Sequence, residues 1–527
     1  MSESENYDVI IIGSGAGGGT LARRLAPSGK RILILERGPF LPREKGNWTF
    51  RGSFNYYSRE VMVANGQEVM PGFVYHVGGN TKVYGAALFR LRKEDFGAVK
   101  HVDGVSPAWP VGYDVFEPYY TEAERMYQVH GTVGEDPCEP PRSEDYAHAP
   151  ISHEPRIAEI FDALKEKGLR PFRAPMGIQL DEERPELSAC IRCDTCDGYP
   201  CLVHAKSDAE VCGVRPALEH PNVTLMTGAH VQRILTNQAG TEATGVEAEV
   251  DGETVRFEGG IVAVACGAVN SAALLLRSAT DMHPRGLANG SDQVGRNLMK
   301  HVLGMLLGVS RDTPNPTAFQ KTMAVNDYYF GEPGFDYPMG NIQLMGRTNV
   351  DALRGQEAKY APLTIEHVAQ NSVDWWLTTE DLPDPENRVW VQGDRIHIAY
   401  RENNTAAFDR LTQRWTEVLG SIGCACDVAP AGHYFNPHEV DAPDTRDDDG
   451  YYVTKMPASA LGHQVGTCRF GRDPATSVLN EDCRAHEVDR LYVVDGSFFV
   501  SSAAVNPTLT IIANALRVGD HLLQRLI

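Results

Sequence analysis

The sequence predicts an α/β protein in which a Rossmann-like domain with a parallel sheet is joined to an α+β domain that contains an antiparallel sheet. Three observations predict this fold. An apolar run near the N-terminus leads through a glycine-rich loop into a helical pattern, and a similar run with a following helix recurs near the C-terminus. Between them, residues 301–455 combine short strand patterns with one amphipathic helix. A chain of 527 residues is long enough for two such regions.

The N-terminal unit, residues 7–36, has the pattern of strand, turn, helix and strand. YDVIII is a continuous β-branched run typical of a buried parallel strand, and Gly13, Gly15 and Gly18 follow it in GxGxxG spacing. Glycine at these positions allows a tight turn, close approach of a pyrophosphate, and packing of helix on strand. A second strand, RILILE, ends at Glu36, whose carboxylate can accept hydrogen bonds from a ribose. The unit predicts a dinucleotide site, but NAD and FAD use the same cradle.

The C-terminal region contains the strand pattern RLYVVDGSFF, which ends at Asp495 and is predicted to return to the first sheet. Asn506 is a favourable N-cap and Pro507 a favourable first residue for the helix that follows. Upstream, His463 lies in LGHQVGTCRFG, a segment too rich in glycine for a regular helix or strand. Taken alone, this pattern favours a histidine on a turn that its neighbours satisfy.

Residues 7–38, 71–96, 260–301 and 455–527 together resemble the glucose-methanol-choline (GMC) oxidoreductases, which are FAD enzymes that oxidise alcohols. The segments that carry the resemblance are HVGGNTKVYGAALFRLRKEDF, SPAWPVGYDVFEPYYTEAE, VGRNLMKHV, HxxGTCR and NPTLTI. The loop after the paired glycines departs from the family pattern at Asn80 and Tyr84. The chain therefore resembles an outlying bacterial branch near the sugar and polyol oxidoreductases and the pyranose oxidases.

The resemblance implies roles for particular residues. His463 would be the general base and Asn506 the second polar residue facing N5 of the flavin, and a histidine with an ordinary pKa of ~6.5 suits proton removal near neutrality. Val83 stands where some members carry a histidine bonded covalently to the flavin, so non-covalent FAD is expected. The residues expected to contact FAD are Gly13, Gly15, Gly18, Glu36, Gly79, Asn80, Val231, Asp495 and Asn506.

A run of four cysteines, CIRCDTCDGYPC, suggests a further cofactor. Cys190, Cys193, Cys196 and Cys201 have spacings of two, two and four residues, close to the bacterial C-x2-C-x2-C-x3-C-P pattern of iron–sulfur clusters. The last spacing is one residue too long, and a structural zinc, packed thiols or a local disulfide are alternatives. Packed thiols or a local disulfide are favoured over an Fe–S cluster at these four residues, and no metal ligands are predicted elsewhere.

The predicted FAD-binding domain is discontinuous, with parts at 1–100, 206–300 and 456–527. Residues 101–205 form a helical, cysteine-rich connecting segment, and residues 301–455 form the substrate-binding domain. Six residues are candidates for the lining of a polar, partly aromatic pocket, although core packing or surface exposure is the commoner role for each: His301, Gln343, His367, Gln370, Trp375 and Trp376.

Charge and hydropathy exclude some classes of function. A formal net charge of -21 and the absence of a dense Lys/Arg cluster argue against binding to nucleic acid. No apolar run reaches the roughly 18 residues that a membrane span requires, and the N-terminus has no secretory pattern. A cytoplasmic protein is expected.

The predicted function is FAD-dependent oxidation of an alcohol group on a sugar, glycoside or polyol, with His-assisted proton removal and hydride transfer to flavin N5. Dioxygen or a quinone-type acceptor would take the electrons. Two alternatives are an electron-transferring sugar dehydrogenase subunit with a partner or an Fe–S cluster, and a non-redox cyanohydrin lyase that retains FAD. The sequence leaves open the oxidised carbon, the acceptor and the oligomeric state.

Overall fold

The computed structural model describes residues 6–49, 55–319, 321–354, 363–424, 453–455 and 461–527. Its α-helices are α1 (Ala16–Leu25), α2 (Tyr113–Met126), α3 (Pro155–Glu166), α4 (Arg215–Leu218), α5 (Ala268–Arg277), α6 (Val350–Leu353), α7 (Ile365–Asn371), α8 (Thr405–Ser421) and α9 (Thr508–Arg525).

Within the described residues the strands lie in five sheets. In chain order they are β1 (Asn6–Ile12), β2 (Ile32–Glu36), β3 (Met62–Ala64), β4 (Gln67–Val69), β5 (Val99–Lys100), β6 (Val105–Ser106), β7 (Val129–His130), β8 (Phe172–Arg173), β9 (Met176–Gly177), β10 (Val223–Thr227), β11 (Ala229–Thr236), β12 (Ala243–Val250), β13 (Glu253–Val264), β14 (Val302–Val309), β15 (Met323–Val325), β16 (Asn341–Gly346), β17 (Ser372–Thr379), β18 (Arg388–Gln392), β19 (Arg395–Ala399), β20 (Val453–Lys455) and β21 (Leu491–Val493).

A seven-stranded sheet forms the core of the first half of the fold. Its order is β10–β2–β1–β13–β12–β11, and β21 also pairs with β13. The pairs among β10, β2, β1, β13 and β21 are parallel, whereas β12 and β11 are added antiparallel. Val9, Ile10 and Ile11 in β1 are completely buried, which is why this strand is apolar throughout. The predicted Rossmann-like parallel sheet and the return of the C-terminal strand are confirmed.

Close packing of α1 against the sheet depends on glycine. A Cβ on Gly18 would lie 2.0 Å from the carbonyl oxygen of Gly13, and a Cβ on Gly17 would lie 2.1 Å from that of Val494. Neither distance is possible for a real side chain. The helix can therefore begin directly beyond the ends of β1 and β21 only because these positions lack a side chain.

The C-terminal helix α9 begins one residue later than predicted. Its N-cap is Pro507, and no side chain caps it. The Asn506 amide instead bonds to Gln343 and His463, so the predicted N-cap role of Asn506 is wrong. Local propensity favoured a cap, but long-range partners outside the helix take the side chain.

The second large sheet has the order β20–β14–β17–β16–β15–β8, and all its pairs are antiparallel, as predicted for the second domain. Side chains alternate between its faces. Trp375 and Leu377 of β17 are buried in an apolar core, where Trp375 packs against Trp415 of α8 with ring centroids 4.8 Å apart. Trp376 and Thr378 lie on the opposite face and line a cavity.

The predicted strands β18 and β19 are present, but they do not join the six-stranded sheet. They form a four-stranded sheet in the order β18–β19–β3–β4, with β19 parallel to β3. The Asn65 side chain links the two parts, because it donates to the carbonyl of Tyr400 and accepts from its N–H. The domain boundaries drawn from the sequence remain a prediction.

Candidate functional site

A cavity of about 930 Å³ lies between the glycine-rich loop and the six-stranded sheet. The predicted catalytic residues His463 and Asn506 line it together with most of the predicted cofactor residues. Gly18 does not line it, because it packs on Gly13. The predicted cofactor residues that line the cavity are Gly13, Gly15, Glu36, Gly79, Asn80, Val231, Asp495 and Asn506.

The glycine-rich loop has the properties of an anion cradle. Gly15 is the N-cap of α1 and makes no side-chain cap, and the first turn of the helix carries no acidic residue to neutralise its positive end. A Cβ on Gly15 would meet nothing within 4 Å, so this part of the backbone opens onto the cavity. Gly79 approaches from the other side, where a Cβ would lie 3.2 Å from the Gly15 Cα. The arrangement fits a pyrophosphate.

Glu36 lies at the end of β2 and is buried beside this cradle. Its carboxylate accepts from the Ser14 N–H at 3.0 Å, the Ser14 hydroxyl at 2.6 Å and the Gly38 N–H at 3.0 Å. Burial raises the pKa of Glu36, and these hydrogen bonds oppose the shift. One oxygen takes a single bond from Gly38, which leaves it capacity to accept from a ribose hydroxyl.

Asp495 and Asn80 tie the cavity walls together. Asp495 follows β21, and its carboxylate accepts from the N–H groups of Gly267 at 2.9 Å and Ser497 at 2.8 Å and from the hydroxyl of Ser271. It therefore joins the loop after β13 to the end of β21. Asn80 accepts from the Val74 N–H at 2.9 Å. Both residues hold backbone around the space where a dinucleotide would lie.

His301 and His463 are brought together by two short extended segments. Met299 and Val465 exchange both backbone hydrogen bonds in an antiparallel bridge, at 3.0 and 2.9 Å. His301 is two residues after Met299, and His463 is two residues before Val465, so the register places them opposite one another. Their Nδ1 atoms are 3.0 Å apart, and the rings meet edge to face.

The contacts of His301 determine which nitrogen of His463 carries a hydrogen. His301 Nε2 is 3.0 Å from the carbonyl oxygen of Ser502, which can only accept, so Nε2 carries the hydrogen. Burial lowers the pKa of His301 to about 4, so the ring is neutral and its Nδ1 is an acceptor. His463 Nδ1 must then be the donor. The other nitrogen, Nε2 of His463, then carries no hydrogen and has a lone pair that can accept one.

This lone pair is the basic group of the site. The pKa of His463 is lowered well below its usual value, first by burial and then by His301, Lys321 and Lys300. The ring is therefore unprotonated at neutral pH and able to take up a proton. Its Nε2 lies 3.4 Å from Asn506 Nδ2, which can only donate. The pair presents a proton acceptor and a hydrogen-bond donor side by side.

The far wall of the cavity is polar and aromatic. Gln343 of β16 and Trp376 of β17 lie opposite each other on its face, and Lys321 forms an ion pair of 2.6 Å with Asp197 beside it. Lys321 and Asp197 were not predicted from the sequence, because no local pattern marks them. Tyr57 was not predicted either, and it also lines the cavity.

Of the six pocket candidates, Gln343 and Trp376 line the cavity, and His301 contacts His463 from behind. Trp375 is wrong as a pocket residue, because the alternation of β17 turns it into the core. His367 and Gln370 are not among the lining residues, since they lie on α7.

The cysteine run does not support the iron–sulfur hypothesis. No group of three or more His, Cys, Asp or Glu side chains in the described parts of the chain is placed to hold a metal ion. All four cysteines are free thiols. Burial raises the pKa of Cys190 to about 11 and that of Cys196 to about 12, which favours the protonated thiol over the thiolate that a metal binds. The spacing alone was misleading, and the local disulfide alternative is not formed either.

No helix in the described residues has both the length and the apolar character needed to cross a membrane.

Two family models, both described as GMC oxidoreductase, match residues 7–303 and 394–515. The chain is 31% identical to 6'''-hydroxyparomomycin C oxidase of Streptomyces lividus, over 99% of this chain and 92% of the relative. It is 32% identical to paromamine 6'-oxidase of Streptomyces fradiae, over 97% and 90%. The fructose dehydrogenase large subunit of Gluconobacter japonicus is 25% identical, over 100% and 99%.

Solved structures share the fold. The crystal structure of pyridoxine 4-oxidase from Mesorbium loti superposes with a TM-score of 0.66 at 18% identity, covering 98% of this chain and 99% of that one. A formate oxidase of Aspergillus oryzae also gives 0.66, at 14% identity and full coverage of both chains. At these identities the likeness concerns the fold alone.

Proposed function

The chain belongs to the GMC oxidoreductase family and is therefore an FAD-dependent oxidoreductase that acts on alcohol groups, and we propose that its alcohol is carried by a sugar or glycoside. The observation that supports this assignment most strongly is the position of His463 and Asn506. They share one cavity with the glycine cradle. A substrate bound beside them would therefore lie in the same enclosure as the cofactor.

We propose that His463 Nε2 removes the hydroxyl proton of the substrate. Its lone pair is free because His301 holds the hydrogen on Nδ1, and its lowered pKa keeps it unprotonated at neutral pH. Asn506 Nδ2 donates to the substrate oxygen and stabilises the negative charge that develops there. FAD, when bound, accepts the hydride from the alcohol carbon. After the reaction, the proton is held on His463 Nε2.

The cradle residues would hold FAD without a covalent bond. The N-terminus of α1 would bind the pyrophosphate, and Glu36 would accept from the adenosine ribose. Val83, which offers no group for a covalent link, lines the cavity. Release of all yellow colour into the supernatant on acid precipitation would support non-covalent binding, whereas a yellow pellet would contradict it.

The proposed substrate class rests on the polar and aromatic wall of the cavity and on the names of the similar proteins. Gln343, Thr378 and the Lys321–Asp197 pair offer hydrogen-bonding groups, and Trp376 offers a flat apolar surface on which a sugar ring can stack. Two relatives above 30% identity are named as oxidases of aminoglycosides. We therefore place amino sugars and their glycosides first among the candidates, with dioxygen as the electron acceptor.

The test is an anaerobic screen in which bleaching of the flavin absorbance near 450 nm reports substrate oxidation. Amino sugars, neutral sugars, glycosides and simple alcohols are added in separate wells to the FAD-loaded enzyme. Bleaching by a sugar or glycoside supports the proposal, and bleaching by simple alcohols alone contradicts the substrate class. If no alcohol bleaches the flavin, the reaction itself is refuted. Admission of air to the reduced enzyme then tests the acceptor: fast reoxidation with formation of peroxide indicates an oxidase, and slow reoxidation that a quinone accelerates indicates a dehydrogenase.

A further inference from the structure

We infer that Gln343 is a positioning residue that fixes the orientation of the Asn506 amide. Gln343 is the last member of a series of hydrogen-bonded, buried amides that begins at an ion pair. The inference rests on the proposed function, because it concerns the donor that Asn506 supplies beside His463. The shape of an amide group does not show which of its two terminal atoms is the oxygen and which is the nitrogen. The orientation must come from its partners, and Gln343 is the partner that accounts for it.

The anchor of the chain is Asp136. Its carboxylate pairs with Arg92 at 2.6 Å and can only accept hydrogen bonds. Asn326, completely buried after β15, must therefore turn its Nδ2 towards Asp136, at 3.0 and 2.9 Å from the two oxygens. This leaves the Asn326 oxygen free to accept from the next amide.

The same polarity then passes through two residues of β16. Asn341 Nδ2 donates to the Asn326 oxygen at 2.7 Å, so the Asn341 oxygen accepts from Gln343 Nε2 at 2.6 Å. Asn341 and Gln343 are two residues apart on one strand, and a strand turns such residues to the same face. The second N–H of Gln343 donates to the Asn506 oxygen, also at 2.6 Å.

Asn506 therefore has only its Nδ2 left for His463. This agrees with the other side of the site, where Ser502 and His301 leave the Nε2 of His463 as an acceptor. Two independent hydrogen-bond chains meet at the same 3.4 Å contact and give it the same polarity. A reversed Asn506 amide would direct its oxygen at Nε2, favour the protonated ring and take the donor away from the substrate oxygen.

Two substitutions at Gln343 separate orientation from packing. Gln343→Met keeps the length of the side chain but removes both N–H groups. Gln343→Glu places a carboxylate against the Asn506 oxygen, which favours the reversed amide and so raises the pKa of His463. Both should slow anaerobic flavin reduction at saturating substrate, by about tenfold, and only the Glu variant should move the ascending limb of its pH profile to higher pH. Gln370→Glu on α7 controls for the added charge and should leave rate and profile unchanged.

A double-mutant cycle decides whether Gln343 acts through Asn506. In an Asn506→Ala background, Gln343→Met should have less than about a twofold further effect, because the amide that it orients is gone. Equal effects of Gln343→Met in both backgrounds would overturn the inference while leaving the proposed function intact. An Asn506→Ala enzyme that reduces its flavin at the wild-type rate would instead refute the role of Asn506 in the proposed function.

Asn326→Leu tests the chain from a residue that does not line the cavity. It should slow flavin reduction with little change in the substrate concentration that half-saturates the rate, since it contacts no substrate. Circular dichroism and FAD content establish that the variant is folded. A folded Asn326→Leu enzyme with the wild-type rate would overturn the claim that the series of buried amides orients Asn506.

Discussion

Replacement of His301 should change which nitrogen of His463 carries the hydrogen, although His301 itself does not line the cavity. In His301→Leu the acceptor for the Nδ1–H of His463 is lost, because His301 Nδ1 lies 3.0 Å away and accepts that hydrogen. A buried N–H without a partner costs about 1–3 kcal/mol. The ring can avoid this cost by moving its hydrogen to Nε2, where it can no longer act as a base.

The magnitude follows from that cost. A shift of 1–3 kcal/mol between the two neutral forms of the ring changes their ratio by roughly 5- to 150-fold. The rate of anaerobic flavin reduction at saturating substrate follows the fraction of the ring whose Nε2 is without hydrogen, so it should fall by up to that factor. His301→Asn should recover part of the rate, because its side-chain oxygen can accept from Nδ1–H and asparagine tolerates the backbone of His301, which has φ +69°.

The assay is stopped-flow reduction of the bound flavin, with His204→Leu as the control. His204 also has a positive φ of 53°, but it does not line the cavity, so its replacement brings the same backbone strain without the same contact. Its rate should equal that of the wild type. Equal rates for His301→Leu and His204→Leu, with full FAD content in both, would refute the reasoning about the His463 hydrogen.

Three further predictions concern the cradle and pH. Gly15→Val should lower the unfolding free energy of the apoprotein by no more than about 1 kcal/mol, since a Cβ there meets nothing within 4 Å and only the weaker N-cap preference of valine is felt, yet weaken FAD binding by on the order of tenfold, measured by fluorescence titration. Gly18→Ala should destabilise the fold by about 2 kcal/mol in chemical denaturation, because its Cβ would lie 2.0 Å from the Gly13 oxygen, and this clash outweighs the helix propensity of alanine; unchanged stability would count against the close packing. The rate of flavin reduction should stay level as pH falls through 6.5, because the lowered pKa of His463 keeps its lone pair free to lower pH; a limb centred at pH 6.5 or above would contradict this.

The cradle could be predicted from the sequence because its determinants are contiguous. The glycines, the apolar strand β1 and Glu36 lie within one short unit, and the reasons for each residue type act between neighbours. The same holds for the strands NIQLMG, RVWVQG and RIHIAY, which the structure places at β16, β18 and β19.

Contacts between residues far apart in the sequence could not be predicted. Asn506 looked like an N-cap because its own neighbours favour a helix start, but its amide is bonded to Gln343, 163 residues away. The alternation in β17 separates Trp375 from Trp376, yet it does not say which face meets the core. The cysteine spacing likewise gave no information on burial, which keeps the Cys190 and Cys196 thiols protonated.

The most direct test of the central claim compares wild-type enzyme with His463→Ala, each loaded with FAD and mixed anaerobically with a sugar or glycoside that bleaches the wild-type flavin. We expect the variant to retain its FAD and its flavin to be reduced more slowly by a factor on the order of 100 or more, as expected for loss of a general base. Reduction at the wild-type rate would contradict the claim that the lone pair of His463 removes the substrate proton.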